Sequence, residues 1–138
     1  MSSKDRVTLM VCTNALGEKA PIVMIGKPKQ PRAFHGATNP SGIIYVNQEN
    51  AWISTNLASF WFREVFVRYK RKLLGDTEPA ILFWDNAIPH ALDLDMAPYK
   101  DITILMLPPN LTARHQPMDA GIIAALKCHY KMGAGCCY

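Results

Sequence analysis

The sequence lacks most of the marks that would commit it to metal-stapled, membrane or nucleotide chemistry. Its four cysteines, Cys12, Cys128, Cys136 and Cys137, show no Cys-x-x-Cys pair and no zinc-finger histidine spacing, which argues against a structural zinc site. The adjacent Cys136 and Cys137 define no disulfide framework, and with no signal-peptide pattern a reducing compartment and free thiols are expected. Apolar runs such as Ala80 to Trp84 fall far short of the roughly 20 residues of a membrane-spanning helix, so a soluble protein is expected. No Gly-x-x-x-x-Gly-Lys-Ser/Thr loop is present, which sets aside a P-loop nucleotide-binding domain. Charge is also sparse, at 19% of residues, against 49% hydrophobic. Soluble proteins average about 25% charged, so this balance predicts a folded chain and excludes a disordered one.

With 138 residues the chain is long enough to bury one core between a sheet and a few helices, and one domain is expected. Fifteen Lys and Arg against eleven Asp and Glu give a formal charge of +4. That bias favours a polyanionic partner without identifying one.

The order of elements follows from periodicity and punctuation. Arg6 to Asn14 is β-prone, Ala15 to Lys19 makes a turn, and Pro21 to Gly26 is apolar again, which predicts a hairpin. The apolar centres of both strands place that hairpin in the middle of a covered sheet. Residues 27 to 40 hold Pro28, Pro31, Gly36 and Pro40 together with Lys27, Lys29 and Arg32, and read as a basic loop. Gly42 to Gln48 is a short strand. Ser54 or Thr55 caps a helix in which Leu57, Phe60, Trp61, Val65 and Tyr69 follow helical spacing to about Leu74, with Gly75 as its stop. Its last turns carry Arg68, Lys70, Arg71 and Lys72, a charge sign suited to a helix C-terminus and most simply a solvated end. Ala80 to Trp84 and Ile102 to Leu107 are two short all-apolar strands, and the long connection between them predicts a parallel pair. Asp119 opens a final helix through about Lys131. The predicted class is α/β, with a mixed sheet flanked by helices.

Two aspartates occupy positions suited to chemistry. Asp85 stands where a buried strand ends, and the carboxyl ends of strands are where α/β sheets present functional groups. Asp119 stands at the start of a helix. Taken singly, each has an ordinary role as turn former or N-cap.

The residues around them carry a resemblance. Leu82-Phe83-Trp84-Asp85-Asn86-Ala87-Ile88-Pro89-His90 is similar to the strand-Asp-Asn-x-x-x-His element of the DDE superfamily. Leu107-Pro108-Pro109-Asn110-Leu111-Thr112 and Gln116-Pro117-Met118-Asp119-Ala120-Gly121 resemble its Leu-Pro-Pro-Asn-x-Thr and Gln-Pro-Met-Asp-x-Gly signatures. Lys4-Asp5-Arg6-Val7-Thr8, Ile25-Gly26-Lys27 and Asn50-Ala51-Trp52 resemble the upstream part of the catalytic domain in transposases of the pogo, Tigger and jerky type, within the mariner-like superfamily. The likeness runs from about residue 4 to 131 in the family's order, and the tail from 132 to 138 resembles nothing in it.

The resemblance implies a ribonuclease H-like fold and a DNA-processing domain that performs metal-dependent phosphodiester cleavage and strand transfer when complete. Such chemistry uses two divalent cations about 3.5–4 Å apart, held by carboxylates. By this resemblance Asp85 and Asp119 are the second and third catalytic acids and ligate Mg²⁺ or Mn²⁺. Asn86 and His90 would stand behind them, and Lys27, Lys29, Arg32 and Arg114 would face DNA phosphates. The family's first acidic residue lies on a strand ahead of Lys4-Asp5-Arg6-Val7-Thr8 and has no counterpart in this sequence, so weak or absent cleavage is expected. The alternative is a transposon-derived DNA-binding or chromatin protein that keeps the fold without catalysis. DNA as partner, no membrane, nuclear localisation and room for a homodimer complete the expectation.

Overall fold

The computed structural model describes residues 7–34, 42–85, 95–108 and 118–133. Two compact units emerge, one comprising Met1–Glu78 with His90–Tyr99, the other Pro79–Pro89 with Lys100–Tyr138.

The first unit begins with the expected hairpin. Strands β1 (Thr8–Met10) and β2 (Ile22–Gly26) pair antiparallel, with Thr8 opposite Ile25 and Met10 opposite Val23. The turn is organised by Asn14, whose Oδ1 accepts the N–H groups of Leu16 at 3.0 Å and Glu18 at 2.9 Å. Such Asx geometry lets a short side chain close the turn that Gly17, at φ 85°, completes. Strand β3 (Ile43–Asn47) then runs parallel to β2, giving the order β1-β2-β3.

The hairpin was expected in the middle of the sheet, but among the described strands only β2 is central and β1 lies at an edge. The reason is visible in the side chains. Val23 and Ile25 of β2 are fully buried, whereas Val7 and Leu9 remain exposed. Continuous apolar composition identifies a strand but does not choose its place in the sheet.

Ser54 caps the following helix, its Oγ accepting the Leu57 N–H at 3.3 Å. Helix α1 (Thr55–Phe60), a π-helical segment (Trp61–Val67) and α2 (Arg68–Leu74) run on as one rod from 55 to 74. A π turn sets residues five apart in line, and Trp61 accordingly stacks on Phe66 with ring centroids 5.8 Å apart. Phe62 meets Phe66 at 5.7 Å and the edge of Tyr99 at 5.3 Å, the latter from the 3-10 turn Ala97–Tyr99. Trp61, Phe62, Val65, Phe66 and Val67 are all buried and form the aromatic centre of this unit.

The helix ends as its sequence requires. Gly75 takes φ 98°, and the buried Lys70 folds back so that its ammonium donates to the Gly75 carbonyl at 3.1 Å and the Asp76 carbonyl at 3.4 Å. A Cβ at position 75 would meet no atom within 4 Å, so any penalty there comes from the backbone conformation alone. Gly75→Ala is therefore expected to cost about 1–2 kcal/mol, lowering the melting temperature by about 4 °C in a differential scan. An unchanged melting temperature would show that the helix ends differently.

In the second unit β4 (Ala80–Trp84) and β5 (Ile102–Met106) pair parallel, with Ala80 opposite Ile102 and Trp84 opposite Met106. The strand alternation splits them into two faces. Leu82, Trp84 and Ile102 are buried, while Ile81 and Phe83 are 61% and 58% exposed, beside an exposed Leu105. Expected burial of these all-apolar strands thus holds for one face only. A π turn (Met118–Ile122) leads into helix α3 (Ile123–Gly133), two residues past the expected end. No helix among the described residues is long and apolar enough to cross a membrane.

Candidate functional site

Asp85 follows directly on the last residue of β4 and is half-buried. Its position is fixed from the backbone upward. Buried Trp84 anchors the strand end, and the Trp84 carbonyl accepts the Leu107 N–H at 2.9 Å, so β5 holds β4 up to the residue before the aspartate. The parallel register brings the carboxyl ends of both strands to the same edge, where a side chain leaves the sheet for a ligand. Asp119 is the second residue of the helical segment that begins at Met118, and of this aspartate the structure describes the backbone. Helix N-termini favour carboxylates through their unsatisfied N–H groups. Both aspartates belong to the second unit.

Carboxylate oxygens are the donors that Mg²⁺ and Mn²⁺ select, so the chemistry of these two residues suits such a cation. Among the described residues no group of three or more His, Cys, Asp and Glu side chains comes together, so they do not complete a two-ion ligand set by themselves. Asn86, His90 and Arg114 lie outside the described residues.

The basic residues divide into two kinds. At the end of the long helix, Arg68 pairs with Glu64 at 2.5 Å and Arg71 with Asp76 at 3.5 Å, so this charge is already answered by nearby acids. It is the solvated helix end that the sequence suggests. Lys27, Lys29 and Arg32 in the first unit are all exposed and make no ion pair among the described residues.

The backbone that carries these three cations is held closely by β3. The Gly26 carbonyl accepts the Gln48 N–H at 2.9 Å, the Lys27 carbonyl accepts from the Asn47 side-chain amide, and the Pro28 carbonyl accepts the Tyr45 hydroxyl at 2.6 Å. Farther along, the 3-10 turn Arg32–Phe34 puts Phe34 edge-on to Tyr45, with centroids 5.4 Å apart. Burial pushes the Tyr45 phenol above its usual value and keeps the O–H a donor. Gly26 is what lets this ring lie across the strand: a Cβ there would come within 2.5 Å of the Tyr45 hydroxyl oxygen.

Sequence reasoning found the three cations but not Tyr45 and Asn47, which it read as ordinary strand residues. Their i, i+2 spacing, which sets them on one face of β3, was the available signal.

Thiol chemistry offers a separate check. Burial raises the Cys12 thiol above its ordinary 9.0, whereas Cys128 is exposed. Only the thiolate alkylates, so at pH 8 Cys128 is expected to react with iodoacetamide at least about 5-fold faster than Cys12. Peptide mapping by mass spectrometry reads the ratio, and equal rates would contradict the burial of Cys12.

Comparison with known proteins agrees with this arrangement. The mouse Jerky protein (Mus musculus) is 34% identical over 125 residues, covering 86% of this chain and 22% of its own length. Mouse Tigger transposable element-derived protein 4 is 30% identical over 129 residues, covering 93% of this chain and 24% of its own. ARS-binding protein 1 of Schizosaccharomyces pombe is 31% identical over 136 residues, covering 93% and 25%. The chain spans about a quarter of the length of these relatives. No solved structure matches it. The family described as DDE superfamily endonuclease matches residues 4–134, a span that takes in every described residue, and the chain belongs to that family.

Proposed function

We propose that this chain is a DNA-processing domain of transposase type, acting in the nucleus, with Asp85 and Asp119 as ligands of Mg²⁺ or Mn²⁺. The observation that carries the reading is the seat of Asp85 at the carboxyl end of a strand in a parallel pair, in a chain of the DDE superfamily endonuclease family. Such an ion, when bound, supplies charge neutralisation for phosphodiester cleavage. The protein's own part is to hold two carboxylates on separate elements. Asp85 is fixed by the β4 to β5 pairing, and Asp119 is carried by the first turn of the closing helix. Asn86 and His90 are assigned supporting places beside Asp85, while Lys27, Lys29, Arg32 and Arg114 face DNA phosphates.

A two-ion site of this family uses acids from three places, and the sequence matches its signature at two. Cleavage by this chain is accordingly expected to be weak. Isothermal calorimetry with Mg²⁺ and with Mn²⁺, beside nicking of supercoiled plasmid, tests the reading. Weak binding is expected, lost in Asp85→Ala/Asp119→Ala. Identical titrations for both proteins would remove the two aspartates from the site.

A second reading is favoured by the relative named for binding ARS: the domain keeps contact with DNA and has no cleavage. DNA binding in EDTA together with no nicking in any divalent cation would select it.

A further inference from the structure

The loop after β2 is charged, exposed and yet tightly held, a combination that a merely solvated segment does not need. Three consecutive carbonyls, those of Gly26, Lys27 and Pro28, are each taken by a donor from β3 or the residue just after it. Pro28 and Pro31 restrict the backbone between them, and Phe34 closes the far end against Tyr45. Every donor in this set comes from the sheet, and the exposed side chains of Lys27, Lys29 and Arg32 are left without an acid among the described residues. From Lys27 to Phe34 the sequence contains no Asp or Glu.

We propose that residues 27–32 form a preordered cationic loop that grips the phosphate backbone of duplex DNA, and that Tyr45 and Asn47 are positioning residues that hold it in the binding conformation. The inference rests on DNA being the partner of this domain. Two physical steps support it. Lysine and arginine neutralise phosphates and release counterions, so each cation in contact adds to the salt dependence of binding. Ordering a loop in advance removes that entropic cost from the binding step, so affinity gains without any new contact. Gly26 is part of the device, since its missing Cβ leaves room for the phenol that reaches Pro28.

The two roles separate experimentally. Fluorescence anisotropy of the 138-residue chain with a 30-base-pair duplex of mixed sequence, in EDTA at 50 to 200 mM KCl, gives both affinity and salt slope. Lys27→Ala/Lys29→Ala/Arg32→Ala is expected to flatten the slope of log K against log salt by about 2 to 3 and to weaken binding about 10-fold or more. Tyr45→Phe keeps all three charges and the ring against Phe34, and loses only the bond to Pro28. It should weaken binding about 3- to 10-fold with the slope nearly unchanged. Gly26→Ala should reproduce Tyr45→Phe by pushing the phenol aside, and Asn47→Ala should act in the same direction. Thermal melts of each variant identify the folded fraction, so a loss of affinity is read at equal folding.

Wild-type binding that is indifferent to the triple variant would overturn the loop assignment while leaving the domain a DNA binder. Sensitivity to the triple variant with none to Tyr45→Phe or Asn47→Ala would overturn the positioning role. Absence of binding to the duplex by the wild type would overturn the DNA partner itself. Equal binding to poly-glutamate, lost in the triple variant, would reassign the loop to acidic protein and overturn the proposal.

Discussion

Phe62→Ala is expected to remove about 3–5 kcal/mol of stability, the cost of deleting a buried phenyl ring and leaving its cavity. Phe62 has no exposed surface, and it links three groups: the Phe66 ring one turn on, the edge of Tyr99, and the interior around buried Trp61 and Val65. Domains of this size hold only about 5–15 kcal/mol in all, so the variant should sit close to unfolding at 37 °C. Urea titration followed by tryptophan fluorescence measures it. The midpoint should fall while the slope, which reports surface exposed on unfolding, stays constant. Phe62→Leu fills most of the volume and should cost no more than about 1.5 kcal/mol. If the alanine and leucine variants melted alike, the aromatic centre would not be the element that holds the first unit together.

Asp85→Asn carries the largest expected effect on activity. The amide keeps the shape of the carboxylate but has no charge to offer a cation, so cation-dependent nicking should fall to background. Stability supplies a second readout that does not depend on turnover. For an ion bound with a dissociation constant of about 1 mM, 10 mM Mg²⁺ stabilises the folded chain by about 1.4 kcal/mol. The wild type should therefore melt higher in Mg²⁺ than in EDTA, and Asp85→Asn should melt alike in both. In EDTA the two proteins should be close to one another, because Asp85 is only half-buried at the strand end. A retained Mg²⁺ shift in the variant would place the cation elsewhere.

Much of the fold was legible in the sequence because its boundaries are set by local chemistry. Ser54 and Gly75 mark the ends of the long helix through a cap and a positive φ, and both act there as their residue types suggest. The parallel pairing of β4 with β5 followed from the length of their connection and from strands that stop at Asp85 and Pro108. The site was legible only through its motif wording, since an aspartate at a strand end or a helix start has commonplace roles.

What stayed hidden depends on distant contacts or on packing. The spacing of Leu57, Phe60, Trp61, Val65 and Tyr69 suits an α-helix, and nothing in it announces that Trp61 and Phe66 would stack across a π turn. The exposed face of Ile81, Phe83 and Leu105 was invisible because an unbroken apolar run reads the same whether one face or two are covered. The hold of Tyr45 on Pro28 joins residues 17 apart and leaves no periodic trace.

The π segment also bears on how this chain tolerates changes in length. A helix with one widened turn behaves as a regular helix that has absorbed a single extra residue. Deleting one exposed position within it, such as Arg63, lets the turn close to ordinary α geometry while the parts before Trp61 and after Val67 keep their orientation. Deleting Arg71 instead has no widened turn to draw upon. It would rotate the end of the rod by about 100° and carry Lys70 and Gly75 out of register. Within one helix, then, the chain is forgiving of shortening at its aromatic middle and unforgiving at its basic end.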